Sequence, residues 1–386
     1  MADAFIYDAV RTPFGRYAGA LSGVRPDDLA RHVIAALAER GLDPERVDEV
    51  IFGDANQAGE DNRNVARMAV LLAAWPTSVP GSTINRLCGS SLDGAMQASR
   101  AIETGDMSCV VVGGVESMSR APRVLLGAET PYARGNQTLH STTLGWRMVN
   151  PAMPERWTIS LAASTEKLAA VHRVDRSAQD EFAARSHRLT AQAWDVGFYS
   201  DWVIPVPGTD LAEDENVRRD TSIEKLGRLP PAFVADGTVT AGNASPLNDG
   251  AAALLIGDGS LPGEPLARIV SRGIHAVDPD IFGIAPVQAA DRALAKAGIG
   301  WGDVEVVELN EAFAAQSLAC LGEWTDLDPE RVNPNGGAIA IAHPLGASGA
   351  RILANLAYEL RRRGGGYGVA AICIGVGQGL AVVLHV

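Results

Sequence analysis

The chain has 386 residues, enough for about two or three packed units at roughly 100–200 residues per domain. With 47% hydrophobic and 20% charged residues it is globular in composition, which excludes a wholly disordered chain. A net charge of −13 argues against a general nucleic-acid binder and leaves any anionic ligand to a local basic patch.

No apolar run approaches the ~18 residues of a membrane span, and no membrane association is expected. Residues 1–16 have an early acid, no basic start and no cleavable apolar core. They read as a strand followed by a loop rather than a signal peptide, and a cytoplasmic location is expected. Residues 27–40 place Leu29, His32, Val33 and Leu37 at helical spacing, with Gly41 as a stop. Residues 47–52 form a β-branched, buried strand. The run Asn85-Arg86-Leu87-Cys88-Gly89-Ser90-Ser91 then leads into a helix over 89–104, marked by Leu92, Met96 and Ile102 and closed by Gly105. The free amides and partial positive charge of a helix N-terminus lower a thiol's pKa, so Cys88 is a candidate nucleophile. A small buried hydrophobe is the plainer reading. Residues 109–112 make a second buried strand.

Over 119–243 the grammar changes to more Trp, Arg, Pro and polar residues, with a helical patch at 178–193. This reads as an insertion of the kind that forms lids or binding loops. Strands and helices resume with the strand Val304–Leu309, followed by Asn310-Glu311-Ala312-Phe313-Ala314. Polar residues at the C-terminal end of a parallel strand face the usual ligand crevice, although a helix-capping Asn is the simpler alternative. Asn333-Pro334-Asn335-Gly336-Gly337-Ala338 and His343-Pro344-Leu345-Gly346-Ala347-Ser348 form a rigid loop entering a helix. His343 is a base candidate there. The run Cys373-Ile374-Gly375-Val376-Gly377-Gln378-Gly379 has GxGxG spacing, but a strand over 380–386 follows it. A dinucleotide fingerprint needs a helix and a later acid. A tight turn exposing backbone N–H groups to an oxyanion fits better. Cys109 and Cys320 read as core. No CxxC pair and no metal-ligand spacing of histidines occurs, so neither a disulfide scaffold nor a metal site is expected.

An internal repeat links these segments. At an offset of 257 residues, Ala36-Leu37-Ala38-Glu39-Arg40-Gly41-Leu42 pairs with Ala293-Leu294-Ala295-Lys296-Ala297-Gly298-Ile299. The same offset pairs residues 47–50 with 304–307, Gly89 with Gly346 and Ser91 with Ser348. It sets Cys88 opposite Leu345, two residues from His343. Alternating strands and helices, twice over, predict a duplicated α/β core with layered α/β/α halves and mixed sheets.

Taken together, these blocks resemble the thiolase family over nearly the whole chain. Arg11-Thr12-Pro13-Phe14-Gly15, Gly113-Gly114-Val115-Glu116-Ser117-Met118-Ser119 and Thr240-Ala241-Gly242-Asn243-Ala244-Ser245 add to the match. Three further blocks look like the 3-oxoadipyl-CoA branch: Gly59-Glu60-Asp61-Asn62-Arg63-Asn64-Val65-Ala66-Arg67, Thr143-Leu144-Gly145-Trp146-Arg147 and Cys373-Ile374-Gly375-Val376-Gly377. The resemblance implies two five-stranded sheets and a homodimer or homotetramer. Residues 1–118 with 244–266 would form the N-terminal half, 119–243 an inserted loop domain and 267–386 the C-terminal half. It implies an acyltransferase using acyl-CoA and CoA as substrates, with no other cofactor. Cys88 would be the acylated nucleophile, His343 its proton acceptor and Cys373 the acid/base at the α-carbon. Asn310 would hold a water beside His343 in one oxyanion hole, and the amides of Cys88 and Gly375 would form the other. Ser245 matches a pantetheine contact, and Phe313 and Phe233 match apolar residues of the same tunnel. Leu161 and Phe282 stand where methionines are frequent. Arg218, Arg219, Lys225 and Arg228 form a basic cluster, either a CoA phosphate site or a solvated face.

The sequence departs from the family at Ser91 and Ala342, where glycine is usual, at Pro230, where an arginine often stands, and over 153–167. Three alternatives bear on function. A biosynthetic acetyl-CoA acetyltransferase making acetoacetyl-CoA shares every catalytic group. A non-catalytic acyl-CoA carrier would be expected to lack one. A condensing enzyme acting on carrier-bound malonyl groups would want a second histidine near Asn310.

Overall fold

The computed structural model describes residues 2–386, so residue 1 of the expected opening strand lies outside the described residues. The chain begins with β1 (Ala4–Arg11) and β2 (Gly15–Arg16), then α1 (Pro26–Glu39), β3 (Glu49–Gly53), α2 (Val65–Leu72) and β4 (Gly81–Ile84). α3 (Ser90–Thr104) and β5 (Cys109–Ser117) follow. Pro26 opens α1, where its missing N–H costs nothing, and Asp27 and Asp28 complement the dipole. Gly105 ends α3 at φ +81°.

The middle stretch holds a two-stranded ladder, β6 (Arg123–Val124) with β7 (His140–Ser141), and three helices. These are α4 (Leu161–His172), α5 (Arg176–Asp195) and α6 (Ile223–Gly227). The rest comprises β8 (Asn248–Gly257), β9 (Ala267–Ala276), α7 (Ala285–Ala297), β10 (Val304–Leu309), α8 (Ala314–Glu323) and α9 (Ala338–Ile341). α10 (Ser348–Arg363), β11 (Tyr367–Ile374) and β12 (Gln378–His385) complete it.

The two halves repeat one strand order. In the first, β4, β3 and β5 are parallel, and β8 and β1 continue the sheet antiparallel. In the second, β10 and β11 are parallel, and β12 and β9 continue it antiparallel. The repeat and the family resemblance predict two separate sheets of five strands, and here the structure differs. β1 pairs through Ala4–Ile6 with Ala267–Ile269 of β9, so the halves join into one continuous sheet. The fifth place of the second half shrinks to a single parallel bridge between Val307 and Val332. Pro329 and Pro334 flank Val332 and cannot donate to a ladder, which keeps that segment from becoming a strand.

β5 shows why its sequence is almost uninterrupted Val. Val110 and Val112 face one core and Val111 and Val115 another, so both sides are buried. The central core lies between the halves and packs Leu92, Met96 and Ile102 of α3 against Leu353, Leu356 and Leu360 of α10. One outer core sits under α1, the other under α7. α3 and α10 also meet at their N-termini. A methyl group on Gly349 would stand 2.1 Å from the Leu92 nitrogen, and one on Gly346 2.4 Å from the carbonyls of Gly53 and Val115. Glycine is required at both, because backbone cannot yield.

The middle stretch is tied to the core by a buried, two-pronged ion pair. Arg11 donates to both Asp214 oxygens, at 2.6 and 2.8 Å, under the rings of Phe14, Tyr199 and Trp202. α5 packs on α8 and α9. α4 packs on the 3₁₀ stretch Pro279–Ile284 and on α8. No helix among the described residues is long and apolar enough to cross a membrane.

Candidate active site

Three chain segments meet where α3 and α10 begin. The first is the turn before α3. Asn85 Oδ1 accepts from the Leu87 N–H at 3.0 Å, and Ser90 Oγ accepts from the Arg86 N–H at 2.9 Å. Leu87 sits at φ +46°, a left-handed kink that sets Cys88 at the mouth of the helix. The second is the loop before α10, where Ala342 sits at φ +101° in place of the glycine such a conformation favours. The third is the β11–β12 turn, where Val376 and Gly377 are both left-handed. That turn sets Gly375 against Leu87, the residue before Cys88.

Hydrogen bonds fix His343. Ser348 Oγ lies 2.5 Å from its Nδ1 and donates its own proton to the Pro344 carbonyl at 2.8 Å. A hydroxyl has one proton, so Nδ1–H must donate to Ser348 and Nε2 keeps a free lone pair. Nε2 stands 3.4 Å from Asn310 Nδ2. The amide cannot be reversed, because Asn310 Oδ1 accepts from Arg351 Nη2 at 3.1 Å and a guanidinium only donates. Arg351 in turn pairs with Glu308 at 3.2 Å, both fully buried. Asn310 is therefore no helix cap. It is the outer end of a buried polar chain from β10 and α10. Among the described residues, the His343 ring bonds Asn310 and Ser348 and neither thiol.

The helix N-terminus predicts a lowered pKa for Cys88, and the structure reverses this. Burial pushes the thiol up to about 12, against the pull of the Gly375 and Cys88 N–H groups. His343 is pushed down to about 3 by burial and by Arg351. Thiol and imidazole are both neutral at rest. Cys373 is also raised, by burial first and then by its neighbours Cys88 and Cys320.

The expected apolar residues divide. Leu161, Phe282, Ala312 and Phe313 pack around Cys373. Ser245 lies beside them, its N–H donating to the Ala312 carbonyl at 3.0 Å. Phe233 is 52% exposed and stands outside this cluster. The basic residues are exposed as well. Lys225 pairs with Asp220, and Arg219 with Asp195 and Glu213. Arg218 and Arg228 make no ion pair among the described residues, so two cations of the four expected stay uncommitted.

The description "Thiolase, N-terminal domain" fits residues 4–260, and "Thiolase, C-terminal domain" fits residues 263–386. The chain belongs to the thiolase family. As a thiolase it is an acyltransferase, and its chemistry is CoA-dependent thiolysis. It is 49% identical to the beta-ketoadipyl-CoA thiolase of Escherichia coli over 400 residues, covering 100% of both chains. To the protein of the same name from Pseudomonas aeruginosa it is 48% identical over 397 residues, 99% of each. Human mitochondrial 3-ketoacyl-CoA thiolase in complex with CoA superposes with a TM-score of 0.93 at 39% identity, covering 100% of this chain and 98% of that one.

Sequence reasoning missed the residues that hold this thiolase's histidine and asparagine. In the sequence Ser348 shows only as a repeat partner, and Arg351 only as one more arginine of a helix. Glu308 carried a signal, a carboxylate inside a β-branched strand. Glu116 is a further case. Its buried carboxylate accepts from Ala55 N–H at 3.1 Å and Gly346 N–H at 2.9 Å, bolting the two halves together behind Cys88. Trp146, read only as a branch mark, reaches the site. A methyl group on Gly375 would lie 3.8 Å from its Cη2, 3.7 Å from Leu161 Cδ2 and 3.2 Å from Leu87 Cδ1.

Proposed function

We propose that the chain is a 3-oxoadipyl-CoA thiolase, cleaving that thioester with free CoA to acetyl-CoA and succinyl-CoA, or running the reverse condensation. The observation that supports this reading is the convergence of the three segments that carry Cys88, His343 and Cys373, with the imidazole held in a single tautomer. Cys88 Sγ attacks the 3-oxo carbon while its proton passes to His343 Nε2. The bond between C2 and C3 breaks, and Cys373 protonates the departing carbanion, which leaves as acetyl-CoA. The second CoA gives its thiol proton to Cys373, and its sulfur takes the acyl group from Cys88. His343 then returns the proton to Cys88. The amides of Cys88 and Gly375 flank the oxygen of the thioester on Cys88. His343, once protonated, and Asn310 serve the oxygen of the CoA thioester, with a water on Asn310.

In this reading Ser245 and Phe313 line the pantetheine path, and Leu161 and Phe282 the acyl pocket. Phe233, Arg218 and Lys225 lie toward the CoA mouth, with Arg218 the freer cation. CoA is a co-substrate, and no metal or other cofactor takes part. The protein works in the cytoplasm as a homodimer or homotetramer. Residues 119–243 form the inserted domain over the crevice, between a half built from 1–118 with 244–266 and one built from 267–386. The names of the relatives from Escherichia coli and Pseudomonas aeruginosa support the substrate. A second reading, a biosynthetic acetyl-CoA C-acetyltransferase, has its own support. The acetyl-CoA acetyltransferase of Bacillus anthracis superposes with a TM-score of 0.92 at 39% identity, covering 100% of this chain and 99% of that one.

Intact mass after exposure to acetyl-CoA tests the roles. Cys88→Ala should take up no acetyl group. Cys373→Ala should still acquire it on Cys88, yet lose turnover by at least the 10²–10⁴-fold typical of general acid–base catalysis, about as much as a positioned proton donor supplies. A Cys373→Ala protein that never gains the acetyl mass would overturn the assignment. Turnover of 3-oxoadipyl-CoA against acetoacetyl-CoA separates the two substrate readings.

A further inference from the structure

The acyl pocket has a wall that the catalytic scheme does not use. It is the segment of residues 143–147, whose Trp146 is pinned by a 3.0 Å hydrogen bond from its indole N–H to the Ile159 carbonyl. Trp146 thereby faces Gly375, beside Leu87 and Leu161. The next residue is Arg147, half-buried and without an ion pair among the described residues. Its one side-chain hydrogen bond is long, 3.5 Å from Nη2 to Asn56 Oδ1.

Asn56 is itself anchored. Its Nδ2 donates to Thr142 Oγ1 at 2.9 Å. The neighbouring Ala55 carbonyl accepts from Asn85 Nδ2 at 3.0 Å, and Asn85 Oδ1 accepts from the Leu87 N–H. Arg147 is thus tethered to the backing of the turn that presents Cys88.

Three cations of neighbouring segments are committed. Arg86 pairs with Asp93, Arg156 with Asp278 and Arg351 with Glu308. A half-buried guanidinium with one stretched contact has donors to spare, and a carboxylate is the partner its fork fits. The rest of the pocket is apolar: Leu87, Trp146, Leu161, Phe282 and Phe313. Such a lining suits a short methylene chain whose charge lies at its far end. The acids nearest Asn56, Asp54 and Glu116, are both pushed toward their protonated forms by burial, which weakens repulsion of an incoming anion.

We propose that Arg147 is a specificity-determining residue, binding the terminal carboxylate of a dicarboxylic acyl chain while Trp146 covers its methylenes. This rests on the 3-oxoadipyl reading above. The succinyl group left on Cys88 by that substrate has two methylenes between thioester and carboxylate, so its charge lies a short chain away from the sulfur.

The test compares 3-oxoadipyl-CoA with 3-oxohexanoyl-CoA, which has the same chain length and no charge. Wild-type protein should favour the charged substrate in kcat/KM. Arg147→Gln should lower that ratio by about 10–150-fold, the worth of a charge-assisted hydrogen bond, mainly through KM. Arg147→Lys, which keeps the charge without the fork, should fall between the two. If wild-type favours 3-oxoadipyl-CoA and Arg147→Gln keeps the ratio within threefold, Arg147 is not the determinant and the substrate reading stands. If wild-type shows no preference, the substrate reading fails and takes this proposal with it.

Discussion

The entries to α3 and α10 are one turn used twice, and their differences divide the chemistry between them. Gly89 and Gly346 correspond, as do Ser91 and Ser348. In the first copy the residue before the glycine is Cys88, in the second Leu345. Ser348 holds the His343 ring, while Ser91 Oγ reaches across to accept the Ala350 N–H of the other copy at 2.9 Å. In the proposed scheme one copy thus carries the nucleophile and the other the base. The serines show how: the same side chain serves the reacting ring in one copy and the joint between copies in the other. Duplication supplied two adjacent helix mouths, and only the loop residues had to diverge.

The glycines give the largest expected effect. A methyl group at position 346 would meet two carbonyl oxygens at 2.4 Å, whereas at 89 it would meet the flexible tip of Ile374 at 2.5 Å. Gly346→Ala should cost more than about 4 kcal/mol, or fail to accumulate folded. Gly89→Ala should cost about 1–3 kcal/mol, the usual range for overpacking. Equal midpoints in urea would show that the two joints are packed alike after all.

The serines come next. Ser348→Ala releases Nδ1 of the catalytic ring, and kcat/KM should fall roughly 10–100-fold, part of what a positioned base contributes. Ser91→Ala should instead lower stability by about 1–3 kcal/mol, the cost of an unpaired buried N–H. Steady-state kinetics and urea unfolding on both variants distinguish the roles. Loss of activity in Ser91→Ala matching that in Ser348→Ala would break the division proposed above.

The smallest effect is in pH. His343 takes up its proton near its ordinary 6.5 when unfolded but only near about 3 when folded. Between those values the unfolded chain binds the extra proton. Stability from this site is therefore complete above about 6.5 and is lost as pH falls toward 3. Between pH 7 and 5, wild-type should lose about 2 kcal/mol more than His343→Asn. At the corresponding place the first copy has Arg86, and its nearby Cys88 thiol, pushed up by burial, adds no slope in that window. Parallel curves for the two proteins would put the slope elsewhere.

Much of this was legible in the sequence. α1, α3 and β10 fall where periodicity and glycine stops place them, because each buries a regular face. The joining of the sheets through β1 and β9 was not, since choice of edge partner is decided by tertiary packing. The ionisation of Cys88 was misread for a related reason. The local helix end argues for a thiolate, but folding buries the sulfur among segments that lie far away in sequence. His343 stood out beside glycine-rich turns, and Asn310 at the C-terminal end of a parallel strand. Two of their supports, Arg351 and Ser348, look like ordinary helix residues until folding brings them together. For Cys373 the residues alone implied only a tight turn, and its role comes from family resemblance.

One feature of the sheet bears on how the protein is made. β1 pairs along its length with β8, Phe5 opposite Gly257 and Arg11 opposite Ala252. A ribosome adding about 5–20 residues per second needs on the order of 10–50 s to deliver the partner of a strand it completed first. Through that interval β5 lacks its antiparallel neighbour, and α1 has only part of the surface it will cover. The first half cannot close as an independent unit while the chain is emerging. The middle helices, already synthesised, must reach compact form before β8 arrives to seal the sheet. Such long-range closure makes the nascent chain a slow folder with an open edge, and a natural client for chaperones.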